Sequence, residues 1–240
     1  MKISINCRAS FCSATRGGRN LTKIFFGFRK EAIVAIQKKS TPRKEQILEA
    51  AEQVFARKGF HDATISDVAR LAKVSDATIY EYFSSKEDLL FSLPGETARR
   101  GKENLEQVLP FIRSYADKIR AFVYNHLSFY QNHPDYASVA ILILKPNRKF
   151  AETEAYKDVQ ELSRVLLNVI KEGMVAGEFR SDLDPFLVRS AILGTIEHLV
   201  IRQVLLGKPE DLVALVDPLT DLIVGGIIPR GEMPNGEKKM

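Results

Sequence analysis

Residues 59–89 of this 240-residue chain read GFHDATISDVARLAKVSDATIYEYFSSKEDL, and this stretch decides the fold. Thr64, followed three residues later by Asp67, is a typical helix N-terminus. Apolar residues then recur at helical spacing over residues 65–72. This part of the stretch therefore predicts one short amphipathic helix.

A second short helix follows after a tight break at Lys73 and Val74. Ser75 can cap this helix, which we predict over residues 76–83. Two short helices joined by a turn of a few residues are typical of a helix-turn-helix DNA-binding domain, whose second helix enters the major groove.

The flanking sequence predicts a helix on each side of this pair. Upstream, an apolar stripe over residues 47–55 indicates one face of a longer helix that ends near Gly59. Downstream, Ser84 with Glu87 predicts a capping box for a fourth helix.

Beyond this pattern, about residues 43–90 resemble the DNA-binding domain of the tetracycline-repressor (TetR) family of transcriptional regulators. The positions that carry the resemblance are Gly59, Phe60, Ala63, Thr64, Ile65, Asp67, Val68, Ala69, Ala72, Val74, Ser75, Ala77, Thr78, Ile79, Tyr80, Tyr82, Phe83, Ser85, Lys86, Glu87 and Leu89. A generic three-helix bundle would explain the apolar positions, but it would not explain Tyr80, Tyr82 and Lys86 together.

The resemblance implies a double-stranded DNA operator as partner and assigns side chains to it. Phosphate contacts are implied for the helix start at Thr64 and for Lys86, and base-edge or phosphate contacts for the first turn of the second helix. The DNA-binding residues expected on this basis are Thr64, Ser75, Ala77, Thr78, Tyr80, Tyr82 and Lys86. The local basic charge adds Arg43, which we expect to contact phosphates together with Lys44 and the upstream Lys38 and Lys39.

The sequence departs from the family pattern in two respects. Lys73 stands where a glycine is usual, at a turn position that favours positive φ and would cost a non-glycine residue about 1 kcal/mol. Asp76 and Glu81 bring acid to the predicted recognition helix, and residues 41–90 carry a net charge of −2. Either acid can accept a hydrogen bond from cytosine N4, but a structural role is favoured for both.

Residues 91–228 predict a larger domain of successive helices, so the expected fold class is all-α. Pro94 and Gly95 are expected to kink or interrupt the fourth helix, and later helices are expected over 153–177 and 185–206. The last helix carries a leucine stripe that predicts a homodimer interface through Leu212, Leu215, Leu219 and Leu222. A dimer would read a palindromic operator.

The inward faces of these helices predict a cavity for a small lipophilic effector. Its expected lining is apolar or aromatic and consists of Phe122, His126, Phe129, Ile141, Ile170, Met174, Ile196 and Leu199. Taken singly, a residue of any of these types is more often part of an ordinary core than in contact with a ligand. A diffuse similarity over residues 155–198 to family members that sense acyl-CoA or fatty acids favours such an effector. A drug- or xenobiotic-responsive regulator of efflux genes is the alternative.

The formal charge of +5 does not itself indicate DNA binding, because residues 1–40 contribute +8 and the rest sum to −3. Three interpretations of that basic extension are open: a targeting segment, a disordered arm that touches nucleic acid, or sequence upstream of a true start near Val34. Residues 229–240 are expected to be a disordered tail.

The composition and motifs also exclude several classes of protein. No apolar run reaches membrane-spanning length, and Cys7 and Cys12 cannot form a disulfide framework, so the expected compartment is the cytoplasm. The phosphate-binding glycine loop and the nucleophile elbow are missing, and the four histidines lack metal-ligand spacing. We therefore expect no cofactor, no metal and no enzyme, with a helical enzyme or adaptor on the same fold as the remote alternative.

Overall fold

In a computed structural model, residues 42–229 are described, and this part of the chain contains helices and turns but no strand. The helices are α1 (Pro42–Asp62), α2 (Ile65–Ala72), α3 (Asp76–Tyr82), α4 (Lys86–Val108), α5 (Tyr115–Asn132), α6 (Pro134–Val139), α7 (Glu154–Val175), α8 (Pro185–Leu206) and α9 (Val216–Ile227). The all-α prediction is confirmed. The expectations for residues 1–40, and for the tail from residue 230, lie outside the described residues.

The helix-turn-helix forms as the caps predict. Thr64 and Asp67 cap α2 reciprocally, side chain to backbone in both directions. Lys73 adopts the left-handed conformation, with φ 52° and ψ 45°, so the turn keeps its glycine-type geometry despite the lysine. The recognition helix α3 begins after Ser75 and ends one residue before the predicted end, since Phe83 is already extended.

The capping box predicted for the fourth helix is one residue out of register. Ser85, not Ser84, is the N-cap of α4, and its hydroxyl accepts a hydrogen bond from the backbone N–H of Asp88 at 3.0 Å. Ser84 instead donates through its backbone N–H and its hydroxyl to the Asp88 carboxylate. Adjacent serines make either register possible from sequence, and Asp88 decides between them.

The predicted interruption at Pro94 and Gly95 does not occur, because α4 continues to Val108. Both residues are buried where α4 packs along α7. A Cβ added to Gly95 would lie 3.0 Å from the Cβ of Ala155 on α7. The missing side chain at Gly95 therefore permits the close approach of these two helices.

The described residues contain two hydrophobic clusters that meet at α6. The first joins α1, α2, α3 and the start of α4 with Tyr136, Val139 and Leu144. The second joins α5, α7, α8 and α9 with Ala137 and Ile141. Alternate faces of α6 and of the π-helical turn over Ala140–Leu144 thus belong to different cores. None of the helices described is both long and apolar enough to span a membrane.

Candidate nucleic-acid interface and effector core

The recognition helix α3 presents a polar outer face because its apolar side chain, Ile79, is fully buried in the first core. Ala77 is exposed, and the exposed fractions of Tyr80 and Tyr82 are 55% and 37%. Thr78 is only half-exposed. This helix therefore presents the predicted DNA-binding residues Ala77, Thr78, Tyr80 and Tyr82 at the surface of the domain.

Hydrogen bonds hold α3 in place against α2. The Ser66 hydroxyl donates to the Asp76 carboxylate at 2.5 Å, which links the second residue of α2 to the first residue of α3. The Ser75 hydroxyl accepts from the Thr78 backbone N–H at 3.1 Å and lies 2.9 Å from the Thr78 hydroxyl oxygen. Asp76 thus has a structural role, as favoured from sequence.

The start of α2 is self-capped. The backbone N–H and hydroxyl of Thr64 both donate to Asp67, at 3.1 and 2.9 Å, so the groups predicted to meet a phosphate are engaged within the chain. Lys58 lies 2.8 Å from the same carboxylate. Hydrogen bonds from Lys58 and then Thr64 lower the pKa of Asp67 to about 2, so this cap stays charged. A phosphate contact at Thr64 stays a prediction.

The structure gives Lys86 a different role from the predicted phosphate contact. Its ammonium donates to the backbone carbonyls of Phe60, His61 and Ala63, at 2.7, 3.3 and 2.8 Å. It also lies 4.6 Å from the centroid of the Phe60 ring. An ammonium has three N–H bonds, so all of them are directed at the end of α1 and the turn before α2. Lys86 therefore fastens α4 to the helix-turn-helix.

The start of α1 carries the remaining predicted contact. Arg43 is exposed at the second residue of the helix, and no interaction with another described residue occupies its guanidinium. Next to it, the Lys44 ammonium lies 5.8 Å from the centroid of Phe83, at the end of α3. The Arg43 guanidinium is thus unoccupied within the described residues, and its contact with a phosphate stays a prediction.

Most of the predicted effector residues come together in the second core, but they are tightly packed. Phe122, Ile141, Ile170 and Ile196 are buried there, and Met174 and Leu199 pack against them. Phe129 is separate, since it packs against the first core and stacks on His133 with a centroid distance of 4.5 Å. A cleft of about 350 Å³ between α1, α4 and α7 is lined by none of these residues.

His126 lies at the edge of this set as a neutral side chain. Its ring stacks on Phe122 at a centroid distance of 4.1 Å, and Nδ1 lies 3.1 Å from the Phe122 carbonyl oxygen. Burial lowers the pKa of His126 to about 4. Because Nδ1 faces a carbonyl acceptor it carries the proton, which leaves Nε2 as an acceptor.

The leucine stripe predicted for the dimer interface divides between two faces. Leu212 and Leu219 are buried in the second core of their own chain, which leaves them no surface for a partner. Leu215 is partly exposed and Leu222 is 75% exposed. The three-four spacing is interrupted at Val213–Leu215, where a short 3-10 helix precedes α9. Only part of the predicted stripe is thus available to a partner.

Comparison with known proteins identifies the family. The domain described as "Bacterial regulatory proteins, tetR family" matches residues 47–93, and "YsiA-like protein, C-terminal region" matches residues 101–226. The chain belongs to the TetR family. It is a DNA-binding transcriptional regulator, with its helix-turn-helix in α2 and α3.

Individual relatives are similar to this TetR-family regulator over most of its length. The fatty acid metabolism regulator protein of Bacillus subtilis (strain 168) is 32% identical over 79% of this chain and 98% of its own. The crystal structure of FadR from Bacillus subtilis in complex with stearoyl-CoA has a TM-score of 0.69 and 32% identity, covering 76% and 98% of the two chains. FadR from Bacillus halodurans gives a TM-score of 0.71 and 33% identity, covering 79% and 98%.

Sequence reasoning missed the ion pairs that join the two cores of the regulator. Arg100 on α4 pairs with Glu45 on α1 and with Glu96, while Arg99 reaches Asp158 on α7 at 2.7 Å. The residues are 55 and 59 positions apart, so no local pattern indicates the pairing. Helix α4 is thereby tied to the DNA-binding helices at one side and to α7 at the other.

A second missed cluster fixes the last helix. Arg120 on α5 lies 3.0 Å from the Asp217 carboxylate and 2.9 Å from that of Asp221, both on α9, and also pairs with Asp117. The sequence signal for this cluster is the i, i+4 spacing of the two α9 acids, and that spacing does not indicate which basic residue they pair with. Among the described residues, no three His, Cys, Asp or Glu side chains converge as a metal site would require.

Proposed function

We propose that this regulator is a homodimeric repressor of a palindromic operator and that a long-chain acyl-CoA or fatty acid alters its DNA affinity. The observation that carries the proposal is the similarity, over 76% of this chain, to a FadR structure in complex with stearoyl-CoA. The apolar character of the second core supports a lipophilic effector, since Phe122, Ile170 and Ile196 offer only hydrocarbon surface to a ligand.

An acyl chain would have to separate helices that are packed together in the structure. Phe122 on α5, Ile170 on α7 and Ile196 on α8 each have an exposed fraction of 2% or less. Entry of a chain between them would therefore displace at least one of these helices. Close packing makes such a displacement discrete, because a filled core has no intermediate arrangement of comparable packing.

Helix α4 is the element suited to carry this displacement to the DNA-binding helices. Its first half packs in the first core through Leu89, Leu90 and Leu93, and Leu105 packs in the second core. The Arg99–Asp158 ion pair attaches α4 to α7, the same helix that carries Ile170. The effector would act only through its different affinity for the two arrangements of α4.

The proposed dimer face lies along α8. Exposed residues recur every third or fourth position there, and this stripe consists of Leu187, Ala191, Gly194, His198, Arg202 and Leu205. A Cβ added to Gly194 would meet no atom within 4 Å, so the glycine leaves a flat, open surface. Small residues on such a stripe would let a second copy of the helix approach closely.

Helix α9 would complete this face through Leu222, Gly225 and Gly226, all of them exposed. A Leu222→Glu variant should dissociate the dimer at micromolar concentration, as measured by sedimentation velocity, because it places a charge in an apolar contact. Phe111→Glu is the matched control, since Phe111 is 86% exposed in the turn after α4. Dissociation of both variants, or of neither, would contradict this interface.

The effector proposal is tested by fluorescence anisotropy on a duplex selected from a random-sequence library by the full chain. Stearoyl-CoA should change the duplex affinity about 5- to 150-fold, the usual range of allosteric coupling, whereas acetyl-CoA should not. No response to any acyl-CoA or fatty acid between eight and eighteen carbons would refute the lipid effector. A response to a planar cationic drug alone would favour the xenobiotic alternative.

A further inference from the structure

Glu81 occupies the outermost position of the recognition helix. Successive residues of an α-helix are rotated by about 100°, so Glu81 lies about 160° around α3 from the buried Ile79. Its i−4 neighbour on the same face is Ala77, whose methyl group neither shields nor neutralises a carboxylate. When α3 lies in a major groove, Glu81 is therefore on the side of the helix that faces the groove, one turn beyond Ala77 of the first turn.

The Glu81 carboxylate differs from three other acids in and beside the helix-turn-helix. Asp76 accepts a hydrogen bond from Ser66, Asp88 accepts from Ser84, and Asp67 pairs with Lys58. Within residues 42–229, neither a hydrogen bond nor an ion pair engages Glu81. It is thus a free acceptor on the surface that meets DNA.

A free carboxylate in a major groove is selective because it can only accept hydrogen bonds. Guanine N7 and O6 and thymine O4 are acceptors that repel it, and the adenine amino group lies beside the N7 acceptor. The cytosine N4 amino group is the donor that a carboxylate fits. Any other base at that position leaves the carboxylate desolvated and unpaired, close to phosphates.

We propose that Glu81 is a specificity-determining residue that reads cytosine N4 in each operator half-site. This goes beyond the favoured structural role of that acid and rests on the DNA-binding function. It also explains how a DNA-binding domain of net charge −2 discriminates: Glu81 penalises non-cognate duplexes more than it strengthens the cognate one.

The test is selection from a random-sequence duplex library by the full chain, followed by affinities for each base at every selected position. The wild type should select a cytosine at one position of each half-site. Glu81→Ala should reduce the preference at that position about 5- to 150-fold and leave the other positions unchanged. The matched control is Asp76→Asn, which removes one charge from the same helix while its amide oxygen can still accept from Ser66.

Three outcomes would overturn the proposal. Glu81→Ala could keep the cytosine preference, or it could raise the affinity for all sequences equally, which is simple electrostatic repulsion. Asp76→Asn could lose the same preference, which would show that the preference does not belong to Glu81 alone. If the wild type selects no duplex at all, the DNA-binding function itself fails, and that result is distinct from the other three. Unchanged thermal unfolding of both variants verifies that they fold.

Discussion

Replacing Lys86 by methionine separates two explanations of this lysine. Methionine keeps most of the apolar stem but removes the ammonium, so the carbonyls of Phe60, His61 and Ala63 lose a shared donor. Hydrogen bonds from a charged donor contribute about 1.5–3 kcal/mol each, but bonds from one ammonium are not additive. We expect a loss of about 2–3 kcal/mol in the free energy of unfolding, or about 4–12 °C in Tm.

The assay combines urea unfolding with the salt dependence of duplex binding. If Lys86 fastens helices, Lys86→Met loses stability while the slope of log affinity against log salt is unchanged. If Lys86 contacts a phosphate, the slope falls by about 0.9 for each contact and stability is unchanged. The control is Lys102→Met, because Lys102 makes only longer ion pairs, at 3.7 and 3.8 Å, within the larger domain. The second result, or equal destabilisation by both variants, would refute the structural role.

Three further predictions concern stability. Lys73→Gly should raise the free energy of unfolding by about 1 kcal/mol in urea melts, since it relieves the positive φ of 52°; a loss would contradict the strain argument. Gly173→Ala should lower it by about 1–3 kcal/mol, because the added Cβ would lie 2.4 Å from two ring carbons of buried Phe179. Burial raises the pKa of Glu52 to about 7, so the folded state retains a proton that the unfolded state releases. The wild type should therefore lose stability in urea melts as pH rises from about 4.5 through 7, and the advantage of Glu52→Gln over the wild type should grow across the same window and stay constant above it.

The helix-turn-helix could be predicted closely because its signals are local. The Thr64–Asp67 cap, the Ser75 cap and the break at Lys73 each depend on residues within a few positions of one another. The register error at the start of α4 has the same origin, since neighbouring serines carry equal local signals and only Asp88 distinguishes them. The expected interruption at Pro94 was wrong because burial and packing against α7 outweigh the tendency of proline to end a helix.

Contacts between distant residues could not be predicted from the sequence. Lys86 was identified at a typical family position, but its partners lie 23 to 26 residues away. Leu212 and Leu222 share one helical pattern, yet a 3-10 turn before α9 leaves one buried and the other exposed. The effector residues illustrate a related difficulty, because the apolar side chains that line a pocket are the same types that fill a core.

We expect the effector and DNA to shift one conformational equilibrium of this regulator, either in opposite directions or in the same direction. The most direct measurement is the Kd of stearoyl-CoA with and without saturating selected duplex, alongside the Kd of the duplex with and without saturating stearoyl-CoA. Linkage requires the two ratios to be equal, and we predict the same factor, between about 5 and 150. Stearoyl-CoA binding that is unaffected by duplex, or no binding at all, would contradict the account.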